Sequence, residues 1–190
     1  MNPYRQRIWA ATHELLDRHR PYETVLDFGS GDGWFANQFL ASGLAKQLTP
    51  IDIKRREKVL VEPQLYPGGA LPFADRSFAL VYAIDVLHHC PDPMAQLLEL
   101  ARCSSRYLFL KDHTYRSESG RYTLAVMDEL GNRKFGIPSL YKYQKGDAWH
   151  VLLVSSGFRA IQYVQPFKCH VGLLGAVTNR LQYVALYERT

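Results

Sequence analysis

The sequence predicts an α/β fold: a doubly wound, mostly parallel sheet with helices on both faces and an antiparallel last strand. Three observations carry this expectation. Short apolar runs at residues 23–28, 48–53, 78–84 and 106–110 have the length and the β-branched or aromatic character of buried strands. Helical patterns separate them, and strands that alternate with helices pair in parallel through right-handed crossovers that cover both sheet faces. The 190 residues, 47% hydrophobic and 22% charged, suffice for one core rather than two, so a single domain over residues 1–190 is expected.

Along the chain, the opening segment 1–20 carries a helix, because Tyr4, Ile8, Ala11 and Leu15 recur on one helical face and Pro21 ends the pattern. Residues 23–28 form the first strand and run into a glycine-rich turn. A helix at 34–40 stops at Ser42 and Gly43, and a second strand at 48–53 has Asp52 near its carboxyl end. A weaker third strand is expected at 58–62. Residues 63–75 hold three prolines and two glycines and read as a connection. The run 78–84 is too short for a helix and reads as a central strand, followed by a helix at 93–101 and a strand at 106–110 that delivers Lys111, Asp112 and His113. Residues 114–145 break the rhythm around a short helix at 122–130. Long excursions of this kind are commonly functional, so 114–145 and the apolar connection 166–180 are assigned to the substrate side. A helix at 146–156 and alternating strands at 158–165 and 181–188 complete the chain.

Composition excludes several classes. No apolar run approaches the roughly 18–20 residues that cross a bilayer. The first 20 residues lack the apolar stretch and cleavage site of a secretory leader, so neither a membrane span nor a leader is expected. Cys90, Cys103 and Cys169 are odd in number and scattered, which supports neither a disulfide framework nor a structural zinc site and points to a reducing cytoplasm. The net charge of +5 permits an anionic partner, but the one basic cluster, Lys54, Arg55, Arg56 and Lys58, is interrupted by Glu57 and reads as a solvated face. Nucleic acid is therefore not the expected partner.

The informative segment is Val25-Leu26-Asp27-Phe28-Gly29-Ser30-Gly31-Asp32-Gly33. A buried strand delivers an acid and then alternating glycines directly before a helix. Glycine is required where the backbone takes a conformation closed to other residues or where a ligand must touch it without a Cβ between. In an open parallel sheet such ligands lie beyond the carboxyl ends of the strands, and Asp52, about 20 residues on, is placed to accept hydrogen bonds from ribose hydroxyls. A nucleoside-containing cofactor fits. The G-x-G-x-G spacing, followed by Trp34 and Phe35, departs from the dinucleotide fingerprint and disfavours NAD.

At these residues the sequence resembles the class I S-adenosylmethionine-dependent methyltransferases. VLDFGSGDGWFA is similar to their first motif and PIDIKR to their acidic-ended second strand, while LPFADRSFALVYAIDVLHHCPDP resembles the small-molecule "type 11" branch that includes quinone-biosynthesis enzymes. The resemblance covers about residues 20–112 and implies a Rossmann-like sheet. It implies S-adenosyl-L-methionine as cofactor and S-adenosyl-L-homocysteine as product, with Asp27, Gly29, Ser30, Gly31, Gly33 and Asp52 around the amino-acid and ribose parts. Ile53 would pack on the adenine. The acid usually found before LPF is replaced by Pro67-Gly68-Gly69-Ala70, so adenine contacts would fall to the backbone at Gly69 and Ala70. The family's SFD acid is replaced by Ala79.

Methyl transfer is an in-line displacement at an activated carbon, so positioning and removal of an acceptor proton are the protein's tasks. Histidine suits proton abstraction near neutral pH. His113 is the first candidate base and His88 the second, with Asp85 assigned to both cofactor and chemistry. The His88-His89 pair has a second reading, in which it only holds the start of the following helix. No metal is assigned, because adjacent side chains seldom converge on one ion and no further ligands stand at metal-site spacing. Tyr115, Arg116, Arg121, Tyr141, Tyr143 and Trp149 are candidates to line an acceptor pocket, and the acceptor is expected to be a small molecule, aromatic or lipid-like. A homodimer is left open. Two other functions remain at this point: an idle cofactor-binding subunit that supports a partner, and an RNA methyltransferase.

Overall fold

The computed structural model describes residues 2–132 and 139–190. The chain order is α1 (Pro3–Asp17), β1 (Tyr22–Phe28), α2 (Trp34–Ala41), β2 (Ala45–Asp52), β3 (Gln64–Leu65), β4 (Phe78–Ile84), a 3-10 turn (Leu87–His89), α3 (Pro93–Cys103), β5 (Ser104–Tyr115), α4 (Glu118–Asn132), β6 (Gln144–Lys145), α5 (Ala148–Ser155), β7 (Phe158–Val164), α6 (Gly172–Thr178), a second 3-10 turn (Asn179–Leu181) and β8 (Gln182–Arg189). Two helices start where side chains cap free backbone N–H groups and proline fills the first turn. Asn2 accepts from Tyr4 N–H at 3.0 Å ahead of α1. Asp92 Oδ1 accepts from Met94 and Ala95 N–H at 3.1 and 3.0 Å ahead of α3.

The sheet order is β3-β2-β1-β4-β5-β8-β7, with β6 beside the end of β5. All pairings are parallel except those of β8, which runs antiparallel to both β5 and β7. Strand alternation sends side chains to opposite faces. Leu26, Val81, Leu108 and Leu110 pack under α3 and α5 with Leu97, Leu100, Trp149 and Leu153. Val25, Leu80, Tyr82 and Phe109 pack under α1 and α2 with Ile8, Leu16 and Phe39. The predicted doubly wound sheet, its antiparallel last strand and its two covered faces are all present.

The strand order reverses between β1 and β4, where the register brings Phe28 beside Ala83 and, one strand further, Ile84 beside Lys111. The carboxyl ends of β1, β4 and β5 therefore open on the same edge, the place where a ligand meets strand-end loops.

Three expectations change. The third strand lies at Gln64–Leu65 instead of 58–62. Residues 58–62 give their hydrogen bonding elsewhere: Leu60 N–H donates to Asp32 O at 2.7 Å, which lays this segment across the glycine turn. The strand at 106–110 is longer, because β8 and β6 supply partners up to His113 and Tyr115. Within 114–145 the helix runs over Glu118–Asn132, and residues 133–138 of that excursion lie outside the described residues.

Candidate active site

The turn after β1 holds Gly29, Gly31 and Gly33 at φ of 72°, 61° and 72°, left-handed values that a side chain resists. Their surroundings differ. A Cβ on Gly29 would overlap Val86 Cγ2, and one on Gly33 would stand 2.7 Å from the backbone N and O of Val61. Above Gly31 nothing among the described residues lies within 4 Å. Two of the three glycines thus admit the chain's own neighbours, and the middle one alone faces space that a ligand can fill.

Asp52, at the tip of β2 and 8% exposed, accepts from Gly31 N–H at 2.8 Å and from Lys54 N–H at 3.1 Å. Each carboxylate oxygen retains capacity for a further donor. Below the turn, Asp27 Oδ2 and Ser30 Oγ are buried without a hydrogen-bond partner among the described residues. Burial pushes the Asp27 carboxyl up to about 7 against the nearby Tyr82 hydroxyl, which lowers it, and the carboxylates of Asp52 and Asp32 push upward as well. Orphaned polar atoms beside an open backbone fit a ligand rich in donors, such as an amino-acid nucleoside.

Past β4, Asp85 takes φ 53°, unusual for a residue with a side chain. It opens a cavity of about 280 Å³ lined by Tyr4, Asp85, His88, His89, His113, Leu124, Met127, Asp128, Tyr143 and His170, among others. Lys111, wholly buried, supports one wall: Nζ donates to Tyr4 Oη at 2.6 Å, to Gln182 Oε1 at 2.8 Å and to Asp85 Oδ1. Tyr4 Oη donates to Asp85 Oδ2 at 2.7 Å, and its ring stacks on His170 at 4.8 Å. Burial opposes the charge on Asp85, yet the Lys111 ammonium and His113 hold its carboxyl below the usual range. On the other wall, His88 Nδ1 meets Asp112 Oδ1 at 2.6 Å, and His113 Nδ1 meets the same oxygen at 3.2 Å. Burial would depress His88, but Asp112 and then Asp128 override it and raise the imidazole to about 10. Burial and the Lys111 charge instead push His113 down.

The model for the family described as a methyltransferase domain matches residues 1–163. The chain belongs to that family. It is 35% identical over 109 residues to a malonyl-[acyl-carrier protein] O-methyltransferase of Erwinia billingiae, covering 53% of this chain and 42% of that protein. It is 32% identical over 95 residues to an uncharacterized methyltransferase of Mycobacterium leprae, covering 45% of this chain and 34% of the relative. The chain therefore spans less than half the length of either relative. In fold it is similar to the crystal structure of a putative methyltransferase of Bacillus halodurans, with a TM-score of 0.69 at 16% identity over 95% of this chain and 97% of that one. With its sheet order and glycine turn, the domain is a class I S-adenosylmethionine-dependent methyltransferase domain.

The methyltransferase domain gathers His113, His88 and Asp85 into one cavity. Asp27, Gly29, Ser30, Gly31, Gly33 and Asp52 lie together at the β1 turn and the β2 tip, with Gly29 and Gly33 closed over by Val86 and Val61. Ile53 is 67% exposed and lies near the segment before LPF, where a Cβ added at Gly68 would stand 4.0 Å from Ile53 Cγ2. Gly69 and Ala70 are exposed in that segment. Of the six candidates for the acceptor pocket, only Tyr143 lines it. Trp149 is 3% exposed inside the core below α5, because α5 is apolar and packs on the sheet. Arg116 pairs with Asp147, Arg121 with Glu118, and Tyr141 donates to Glu129, all on the surface. Tyr115 packs with Leu124, Tyr143 and Leu181. Sequence reasoning did not single out Tyr4, His89, Asp128 or His170 as cavity residues. For Asp128, an acid among the apolar positions Leu124 and Met127 of one helical face was the available clue.

Proposed function

We propose that this domain transfers a methyl group from S-adenosyl-L-methionine to a small molecule whose reacting atom enters the histidine-lined cavity. One observation carries the proposal: the glycine turn and the cavity share a wall. Gly29 packs on Val86, and the residue before it, Asp85, lines the cavity. The cofactor supplies a methyl carbon already activated on a sulfonium. The Gly31 backbone, Asp52, Asp27 and Ser30 would hold its amino-acid and ribose parts, and Ile53 with Gly69 and Ala70 would flank its base.

The protein's own contribution is positioning and a proton acceptor. His113, kept neutral near pH 7, takes the acceptor's proton. His88 stays cationic at that pH while no metal is bound, so it orients Asp112 instead of serving as the base. The Lys111–Asp85–Tyr4 set ties α1 over the cavity, aided by the Arg5–Asp32 ion pair at 2.6 Å. A volume of about 280 Å³, near the roughly 300 Å³ lower bound of ligand pockets, supports a small reacting group. The relative named for a malonyl carrier protein is in keeping with such a group at the end of a longer molecule. Arg55 is engaged with Glu62 at 2.6 Å on the surface, in keeping with a solvated-face reading of the basic cluster.

Calorimetry with S-adenosyl-L-methionine and S-adenosyl-L-homocysteine, then labelled methyl donor with total cell extract sorted by chemical class, tests the proposal. Heat with both ligands and label in the small-molecule fraction is the expected result. Label confined to RNA, or binding without any transfer, would replace it with the RNA or idle-subunit alternatives.

A further inference from the structure

We propose that His88, His89 and Asp128 form a binding site for a divalent transition-metal ion on the wall of the cavity. The two histidines are adjacent in sequence, and the 3-10 turn at Leu87–His89 brings their rings to 4.1 Å between centroids. The third group comes from α4, forty residues away in the chain: Asp128 Oδ1 stands 3.6 Å from His88 Nε2 and 3.7 Å from His89 Nε2. One donor atom from each of the three lies within 4.8 Å of the others. Ligands about 2.0–2.1 Å from a tetrahedral ion are separated by roughly 3.4 Å, so these spacings need only small closure around zinc.

The surroundings are those of a metal centre. A ligating imidazole characteristically sends its other nitrogen to a carboxylate, which fixes the ring and raises its basicity. His88 does this through Nδ1 to Asp112 at 2.6 Å. Asp128 is fixed in turn by Tyr143 Oη, which donates to Oδ2 at 3.1 Å. A second grouping, His88, Asp112 and His113, is less suited. Its contacts of 2.6 and 3.2 Å are hydrogen-bond distances with a proton between the partners, so Asp112 acts as support and not as ligand.

Two histidines and one carboxylate make the donor set that zinc takes in open sites and iron(II) in facial-triad sites. The ion replaces the Nε2 proton of His88 and leaves further coordination positions toward the cavity. An oxygen or nitrogen of an acceptor bound there would be polarised by the charge. That polarising role rests on the proposed methyl transfer, whereas the site itself stands or falls on metal binding alone.

The test is calorimetric titration of the full chain with zinc chloride after chelator treatment and dialysis, together with elemental analysis of the chain as purified. One equivalent of zinc bound, and zinc or iron near one per chain on purification, is expected. His89→Ala and Asp128→Asn should each weaken zinc at least a hundredfold, and Asp112→Asn, which keeps all three ligands, by about 10–100-fold. His89 is 17% exposed and closes no part of the sheet core, so its alanine variant remains informative if the Asp128 variant fails to fold. Less than tenfold weakening in His89→Ala with its circular dichroism intact, or no stoichiometric zinc binding by the unmodified chain, overturns the proposal.

Discussion

The glycine turn and the histidine cavity meet at one wall but are built in different ways. The turn is made of backbone: three positive φ values within five residues, closed by Val61 and Val86 and tied to Asp52. The cavity is made of side chains from α1, the loop after β4, β5, α4, the segment before β6 and the loop before α6. The difference teaches where each will fail. A turn of this kind breaks by local strain and steric overlap, whereas a cavity of paired ionisable groups breaks by losing a charge partner far away in sequence.

The largest expected effect falls on the cavity. His113→Ala should lower turnover at saturating cofactor by about 10²–10⁴ with cofactor affinity unchanged. Because His113 is pushed below its ordinary value, activity should rise with pH along a limb below 6.5. Unchanged turnover would move the base elsewhere.

Next comes the turn. Gly33→Ala places a Cβ 2.7 Å from the Val61 backbone at an unfavourable φ, and should cost about 2–4 kcal/mol in chemical denaturation. Gly31→Ala meets nothing within 4 Å among the described residues and should cost only the backbone strain, about 1–2 kcal/mol, while calorimetry should show weakened cofactor binding. Equal stability losses at both positions would erase the distinction between the covered and the open glycine.

Asp52→Ala should weaken cofactor binding by about 10–100-fold, the worth of hydrogen bonds to a charged group. The fourth effect is on pH dependence. His88 has its imidazole raised to about 10 in the folded chain, above its ordinary 6.5. The stabilisation it lends is therefore whole below about pH 6.5 and is lost as pH climbs toward 10. The melting temperature of the metal-free chain should fall across that window, and less steeply in Asp112→Asn. Arg5→Ala is the smallest change: its pair with Asp32 is about one-third exposed on both sides, so a loss of about 0.2–1 kcal/mol is expected.

Legibility in the sequence divides along the same line. The strands were readable as apolar runs, since side-chain alternation and chain length limit what such runs can become. The third strand was misplaced because 58–62 is rich in valine and leucine, yet its backbone is engaged by Asp32 O and its side is pressed to Gly33. Trp149 and the surface residues Arg116, Arg121 and Tyr141 read as pocket candidates by residue type alone. Residue type does not say which face of an element a side chain occupies once the excursion folds back.

The order of strands and helices, the acid-then-glycine turn and the carboxylate at the tip of β2 were determined by contiguous residues, because backbone conformation and burial period are local properties. Tertiary structure decided which glycine stays open, which histidine carries a proton, and that His88 and His89 share Asp128. Those outcomes depend on what lies across a gap of a few ångströms from groups distant in the chain, and electrostatic and steric energies are set by that gap, not by sequence separation.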